Sequence, residues 1–336
     1  MPRPSSRNSS GRRNLLAAGV TVLSVVILYS SFDPVPAGED VVNFAAPQPA
    51  YEFDESDEAD VPLPPDAAVS PEPQADESTA SVKAQPPAPA RAREGSILSS
   101  METIKFCVLL LQDGARYMKK MDDYTVHFHR EERIGGDMKT PQTIAMKVQH
   151  SPSFAVYMNW QTGARGQQVL FSKAYDDGNM VVKLGGMKRF LPAVRIDPHS
   201  SLAKAESRYP VTEAGVLGMI NQILNHRQID LKRGHGVSCV RLSDDEFDGH
   251  KCYRFLLKYE DQKFNEVYRK SLLLVDARRH IPLMVRNFTW AADSEGLSPE
   301  ELDKSTLIEN YSFTNLDTSK KLVAEDFSRE NPKYRM

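Results

Sequence analysis

The sequence predicts an α+β domain in which a curved antiparallel β-sheet forms a half-barrel packed on two helices. Three features lead to this prediction: about ten alternating apolar segments, mostly short connections between them, and only two amphipathic helical segments. Strands joined by short connections pair antiparallel, and alternation gives each strand one apolar face. Because the two helices are the only cover available for that face, we expect the sheet to wrap part-way around them.

The first helix is predicted within SILSSMETIKFCVLLLQDGARYMKKM, where apolar residues recur at steps of three and four. Ser99 or Ser100 is placed to cap its N-terminus. The second helix is predicted from about Thr212 to His226, with an apolar stripe that includes Val216 and Ile220.

Ten strands are predicted from alternating residues bounded by Gly- and Asp-containing turns. Five precede the second helix: Tyr124 to Ile134, Gln142 to His150, Phe154 to Trp160, Gly166 to Ser172 and Asn179 to Leu184. Five follow it: Val237 to Leu242, His250 to Tyr259, Glu266 to Val275, Ile281 to Trp290 and Thr306 to Leu316. The predicted order is therefore helix, meander, helix, meander.

The net charge of -3 conceals three regions of different charge. Residues 1–32 carry four arginines and no acid, and residues 33–95 carry fourteen acids and three bases. Residues 96–336 carry 35 bases and 31 acids, so the three nets are +4, -11 and +4. A surplus of four charges over the whole domain is too small for a nucleic-acid-binding surface, so no nucleic-acid partner is expected.

Residues 15–32 run for eighteen positions without a charge, which as a helix spans about 27 Å against a hydrocarbon core of about 30 Å. This segment predicts a single transmembrane signal anchor. Arginines before it place residues 1–14 in the cytoplasm as a basic tip, and the domain in the periplasm. The alternative is a signal peptide cleaved after Val35-Pro36-Ala37, which would release the protein into the periplasm.

Residues 33–95 contain twelve of the 22 prolines, together with acidic runs such as DESDEAD. Such a composition lacks the apolar surface needed to offset ordering entropy, which predicts a disordered linker. Two roles remain open: a spacer that lifts the domain, residues 96–336, off the membrane, and a solubilising tail.

Cysteine and histidine positions raise two further possibilities. Cys239 and Cys252 flank a predicted hairpin, and in an oxidising compartment they could form a disulfide if the strand register allowed it. His127, His129 and Glu131 share one face of a strand and are potential zinc ligands. The apolar residues of that strand occupy its other face, which favours a solvated location for the histidines over a metal site.

Catalytic motifs are absent from the sequence: GxSxG, HExxH, a Walker loop and GxGxxG do not occur. We therefore predict a protein that is not an enzyme and that carries no cofactor.

Five stretches carry a resemblance to a known family: YTVHFHREERIGG, PSFAVYMNWQTGARGQQVLFSKAYDDGNMVVKLGG, SRYPVTEAGVLGMI, LLLVDARRHIPLMVRNFTW and ENYSFTNLDTSKKLVAEDFSRENPKY. They are similar to the domain of unknown function 1571 family, a bacterial family best known from planctomycetes. That family is a branch of the LolA/LolB-like superfamily of lipoprotein-sorting and lipid-binding periplasmic proteins. The resemblance covers residues 101–334.

The resemblance implies a half-barrel cavity that holds lipid, a lipidated protein or another apolar ligand. Its expected lining is Val126, Phe128, Ile144, Met146, Val148, Phe154, Val156, Met158, Met180 and Val182. The alternative is a cell-envelope protein-interaction domain in which the same residues form a filled core. Arg208, just before the second helix, is expected either to contact an anionic lipid headgroup or to form a structural salt bridge.

Overall fold

The computed structural model describes residues 98–334 and 336, apart from the side chain of Asp176. The predicted basic tip, membrane anchor and linker lie outside the described residues. Within the described part of the chain, no helix has the length and hydropathy needed to cross a bilayer.

Four α-helices are described: α1 (Ser100–Lys119), α2 (Ser201–Lys204), α3 (Val216–Arg233) and α4 (Pro299–Thr306). The predicted first helix is confirmed as α1, and Ser99 is its N-cap. The Ser99 Oγ accepts from the Glu102 backbone N–H, and the Glu102 carboxylate accepts from the Ser99 N–H at 2.8 Å. This reciprocal pair satisfies two N–H groups at the helix start.

The second predicted helix is displaced along the chain. Residues Val211–Glu213 form a separate 3₁₀ turn, and Gly215 adopts a φ of +93°, so α3 begins only at Val216. It then continues seven residues past the predicted end, His226. Arg227 and Asp230 are buried in this extension. Because these two inward positions are polar, the apolar repeat used to predict the helix stops before them.

Twelve strands are described, in chain order β1 (Asp123–Ile134), β2 (Asp137–Met138), β3 (Gln142–Gln149), β4 (Ala155–Trp160), β5 (Gln168–Ser172), β6 (Met180–Lys183), β7 (Val194–Ile196), β8 (Val237–Phe247), β9 (His250–Tyr259), β10 (Lys270–Asp276), β11 (Pro282–Phe288) and β12 (Leu307–Asp317). All ten predicted strands are present. The two short strands β2 and β7 were not predicted, because two or three residues give no measurable alternation.

All twelve strands belong to one antiparallel sheet with the order β7-β6-β5-β4-β3-β1-β12-β11-β10-β9-β8, and β2 pairs with β1. The last strand, β12, lies beside the first, with Phe128 opposite Phe313, and so joins the two meanders. The sheet is open, because β7 and β8 stand at opposite ends of this order. The α+β class and the antiparallel architecture are confirmed.

Helices α1 and α3 pack on one face of the sheet, here called the inner face. Phe106 of α1 contacts the rings of Tyr253 and Phe255 on β9, with centroids 5.9 and 6.0 Å apart. At the start of α3 the Val216 N–H donates to the Tyr124 Oη of β1 at 2.9 Å. Helix α1 therefore covers the second meander, and α3 begins above the first.

The outer face is partly covered by the residues after β12, here called the C-terminal strap (residues 318–334 and 336). Tyr334 stacks on Tyr157 with ring centroids 3.8 Å apart. Phe327 joins them in a small second core with Leu170 and Val181. This apolar cover explains why residues on the outer side of β4–β6 are buried.

The possible disulfide between Cys239 and Cys252 does not form. In the β8–β9 register Cys239 lies opposite Leu257 and Cys252 opposite Asp245, so the two thiols are not neighbours. A register irregularity between Leu242 and Asp245 offsets the two arms of the hairpin. Both cysteines are buried and free, and burial raises the pKa of the Cys239 thiol to about 12.

Candidate functional site

The ten residues expected to line a cavity all lie in the apolar cluster of the inner face, together with α1 and α3. Six of them are buried: Val126, Ile144, Met146, Val148, Val156 and Val182. Four are half-buried: Phe128, Phe154, Met158 and Met180. The structure thus brings the predicted set together, and contact of these residues with a ligand remains a prediction.

Burial on the inner face decreases toward the β7 end of the sheet. Val148 on β3 is 0% exposed, whereas Val194 on β7 is 43% exposed. The register places Met180 opposite Ile196 and Val182 opposite Val194, so these four side chains share one face. We call the half-buried and exposed residues at this end the inner apolar strip; they are Met158, Met180, Leu184, Val194 and Ile196.

Helix α3 supplies half-buried apolar residues to the same cluster. They are Leu217, Met219, Ile223 and Leu224. Unbranched methionine side chains on both the sheet and the helix adapt to irregular shapes at low cost. The half-buried methionines of the strip and of α3 thus belong to the same apolar cluster, and their side chains can repack.

A buried polar group anchors the segment that leads into α3. Glu309 on β12 is 1% exposed. Its carboxylate accepts from Arg208 Nε at 2.7 Å, Tyr268 Oη at 2.9 Å and Asn287 Nδ2 at 2.6 Å. Tyr209 Oη lies 3.3 Å from the same carboxylate. Four donors from three parts of the chain thus satisfy one buried charge.

A second buried carboxylate extends this group to β1. Glu132 accepts from Tyr311 Oη at 2.8 Å and from the Arg208 backbone N–H at 3.4 Å, and Arg130 lies 3.5 Å away. Together these residues are called the Glu309 cluster: Arg130, Glu132, Arg208, Tyr209, Tyr268, Asn287, Glu309 and Tyr311. The cluster ties residues 207–210 to the sheet immediately before α3.

Two roles were expected for Arg208: contact with a lipid headgroup or a structural salt bridge. The structure shows the salt bridge, which Arg208 forms with Glu309. Although burial opposes it, the neighbouring Glu309 raises the pKa of Arg208. Burial, reinforced by Glu309, also raises the pKa of the Tyr209 hydroxyl well above its usual value. Arg208 is thus charged and engaged with Glu309, while Tyr209 is a neutral hydrogen-bond donor.

The two buried carboxylates, Glu132 and Glu309, were not predicted from the sequence, although a signal was present. Arg130 and Glu132 continue the alternation of Val126 and Phe128, so they fall on the apolar side of β1. A charged pair at inward positions of a strand indicates a buried ion pair, because burial without partners is costly. Glu309 stands in the same relation to Phe313.

The far end of α3 is held by a separate buried group. The Tyr259 hydroxyl of β9 donates to Asp230 at 2.9 Å and accepts from Arg227 at 2.9 Å. Arg227 Nε also lies 3.2 Å from the Asp230 carboxylate. Helix α3 is therefore attached to β1 at its start and to β9 near its end.

The two histidines considered as potential zinc ligands lie on the outer face, as the alternation predicted, and contact residues of neighbouring strands. His129 lies between Thr143 Oγ1 at 3.1 Å and Thr314 Oγ1 at 2.8 Å, and burial lowers its pKa. His127 Nδ1 lies 3.2 Å from Asn315 Nδ2. Across the residues that the structure describes, no three His, Cys, Asp or Glu side chains are placed to share a metal ion.

An open groove of about 600 Å³ lies on the outer face beside the C-terminal strap. Its walls come from β1, β3, β4 and the end of β12, and they carry polar and apolar side chains. The polar ones include Thr125, His127, Lys147, Asn159 and Asp317. The sequence did not predict this groove, because its two sides are far apart in the chain.

Fold and site together define an open antiparallel sheet with an apolar inner face, two covering helices and a buried polar anchor for one of them. The chain belongs to the family described as Protein of unknown function (DUF1571), which it matches over residues 121–336. No curated protein sequence matches this chain.

Several solved structures resemble this fold at low sequence identity. A DUF1329 family protein from Desulfovibrio piger is 13% identical, covers 67% of this chain and 97% of its own, and has a TM-score of 0.32. The lipoprotein LppX from Mycobacterium tuberculosis is 11% identical, with 65% and 99% coverage and a TM-score of 0.36. A LolA superfamily protein from Nitrosomonas europaea is 11% identical, with 69% and 98% coverage and a TM-score of 0.27.

Proposed function

We propose that the protein is a non-catalytic binding protein that holds an acyl chain of a lipid or lipidated protein between the inner apolar strip and α3. The observation that supports this function is the decrease in burial along the inner face, from Val148 to Val194. An edge position alone does not account for this exposure, because Val237 and Cys239 on the opposite edge strand, β8, are only 4% and 1% exposed. Covering the exposed end with an acyl chain gains about 25 cal/mol for each Å² of apolar surface removed from water.

Entry of a chain requires α3 to move relative to the first meander. The Glu309 cluster holds residues 207–210 on the sheet, so in this proposal the part that moves is α3 itself. Leu217 and Leu224 of α3 are half-buried and pack against the central core, so a small shift of the helix would expose them. Small shifts of such a helix are a common way to admit ligands.

The location of this activity follows from residues 1–95 and belongs to the same proposal. In this proposal the uncharged segment 15–32 anchors the chain in the cytoplasmic membrane, and the four arginines before it keep the N-terminus in the cytoplasm, so that the domain lies in the periplasm. Protease added to intact spheroplasts should then remove the domain. Survival of the domain until the membrane is opened would contradict this orientation.

Native mass spectrometry of the full chain, followed by lipid extraction, tests the binding function. We expect the wild type to carry acyl chains, and Met180→Glu to lose them, because a carboxylate in the strip cannot be buried without a partner. The matched control is Leu109→Glu, which changes a leucine that is 63% exposed on α1. Circular dichroism shows whether both variants fold.

A wild type that is repeatedly free of acyl chains would overturn this function and favour a second one. The second candidate is a cell-envelope protein-interaction domain, and the outer groove of about 600 Å³ supports it. A photo-crosslinker at Asn159, inside that groove, should then capture a protein partner. The same crosslinker at the exposed Glu295 should not.

A further inference from the structure

The connection between β6 and β7 exposes large apolar side chains. We call residues 185–193 the lip loop. Within it Met187 is 94% exposed, Phe190 is 80% exposed and Leu191 is 37% exposed. Single exposed apolar side chains are ordinary, but three within five residues form a patch that water solvates poorly.

The loop holds these side chains in a defined position. Residues Gly186–Phe190 form a 3₁₀ turn, in which positions three apart eclipse, so Met187 and Phe190 project from the same side. At one end, a Cβ on Gly185 would lie 2.5 Å from the Gln167 backbone nitrogen, so the loop base packs on the β4–β5 turn. At the other end, Lys183 Nζ donates to the Leu191 carbonyl at 2.8 Å.

The charge of this part of the chain has one sign. Residues 183–196 contain Lys183, Lys188, Arg189 and Arg195 and no acid. The Arg189 guanidinium lies 4.9 Å from the centroid of the Phe190 ring. A basic group beside an exposed aromatic ring suits the boundary between anionic headgroups and acyl chains, where long basic side chains keep their charge in water.

The lip loop also adjoins the inner apolar strip. Leu184 directly precedes it, and Val194 and Ile196 lie on β7, which directly follows it. The strands on both sides of the loop therefore carry residues of the inner apolar strip. On the proposed function, an acyl chain taken up at the loop would reach these residues next.

We propose that the lip loop docks the domain on an anionic lipid bilayer, with Met187 and Phe190 inserted at the headgroup–acyl boundary and the basic side chains on phosphates. This extends the proposed function and rests on it only for the path that the acyl chain takes afterwards. An acidic protein would also match the charge, but its polar surface would not bury the two projecting apolar side chains, Met187 and Phe190. A bilayer accepts both features.

Tryptophan fluorescence of the full chain reconstituted in vesicles tests the docking. Phe190→Trp places a reporter at the tip, and the wild-type signal of Trp160 and Trp290 is subtracted. With brominated phosphatidylcholine and phosphatidylglycerol in roughly equal amounts, we expect about a twofold loss of emission from residue 190. Leu109→Trp, equally tethered and also exposed, should show no such loss.

Charge variants distinguish docking of the loop on anionic lipid from quenching that reflects only general proximity to the membrane. Adding Lys188→Glu and Arg189→Glu to Phe190→Trp should remove the quenching, since each basic residue contributes roughly fivefold to affinity for an anionic surface. Equal quenching at residues 109 and 190, or no dependence on phosphatidylglycerol, would overturn the proposal. Bound acyl chains measured in the same samples report separately on the proposed function.

Discussion

At the scale of single residues, Glu309 and Gly215 control where α3 lies, although neither belongs to that helix. Glu309 is buried among four hydrogen-bond donors, and it holds Arg208 and Tyr209 against the sheet. A buried charge with this many donors is stable only while every partner remains. The anchor is therefore sensitive to small changes.

Replacing Glu309 with Gln should lower the free energy of unfolding by about 3 kcal/mol, because Arg208 keeps its charge and loses its partner. Urea denaturation measures this loss. The control is Glu295→Gln, which removes a carboxylate from an exposed loop and should change stability by less than about 0.5 kcal/mol. Equal stability of the two variants would show that the Glu309 cluster does not hold α3 in place.

His226 of α3 should make stability depend on pH. Burial, with help from Arg227 and against the effect of Glu309, lowers its pKa to about 4. In the unfolded chain the imidazole has a pKa of about 6.5. As the pH falls from 6.5 toward 4, the unfolded chain binds a proton that the folded chain does not, so up to about 3 kcal/mol of stability is lost.

His226→Phe should remove this part of the pH dependence, because phenylalanine binds no proton and can pack on Tyr268. Unfolding free energies measured at steps between pH 7 and pH 4 give the slope. His199→Phe changes an exposed histidine and should leave the slope as in the wild type. A wild-type slope in His226→Phe would contradict the prediction.

At the scale of elements, α3 is positioned by its two ends. Gly215 precedes it with a φ of +93°, and its Cα lies so near β1 that a Cβ would be 2.5 Å from Tyr124 Oη. That hydroxyl receives the Val216 N–H. One glycine thus allows both the backbone conformation and the close contact between α3 and the sheet.

Gly215→Ala should destabilise the fold by about 3 kcal/mol, because its φ of +93° with a ψ of 179° is essentially restricted to glycine and because a Cβ would displace the Tyr124 hydrogen bond. Gly234→Ala is the control. Gly234 ends the same helix with a φ of +76° and a ψ of 0°, a left-handed conformation that alanine tolerates better, and it has open space around it. Thermal denaturation should therefore show a smaller loss for Gly234→Ala, and an equal loss in both variants would contradict the argument.

At the scale of the whole molecule, the sheet is joined by β12 and covered on its outer face by the C-terminal strap. Lys147 of β3 binds the middle and the end of this strap: its Nζ lies 2.6 Å from Asp326 Oδ1 and 3.0 Å from Tyr334 Oη. Although burial opposes it, the hydrogen bond from Lys147 lowers the pKa of Asp326. The strap is therefore held by charge as well as by ring stacking.

Lys147→Met should loosen the strap without disturbing the inner face, because it removes the cation and keeps the aliphatic stem. We expect hydrogen exchange of residues 322–334 to accelerate about tenfold, which corresponds to about 1.4 kcal/mol of local stability. Lys173→Met, at an exposed position, is the control. Unchanged exchange in the strap would indicate that the stacked tyrosines suffice.

The order of the two long helices and ten strands, their antiparallel pairing and the set of residues that share the inner face were predictable from the sequence. These follow from local periodicity: two residues per repeat in a strand, and Ser99 with Glu102 at a helix start. Periodicity placed the ten residues on one apolar face, because Val126, Ile144 and Val156 occupy the apolar positions of their own strands, and contact with a ligand at that face remains a prediction.

Which residues lie opposite each other on neighbouring strands could not be predicted from the sequence. The offset that separates Cys239 from Cys252, the start of α3 after Gly215, the partners of Glu309 and the cover provided by Tyr334 all depend on register and contact between distant segments. Periodicity predicts which face of a strand a residue occupies, but it does not predict which residues pack against that face. The graded burial of the inner face, on which the proposed function depends, is such a long-range property.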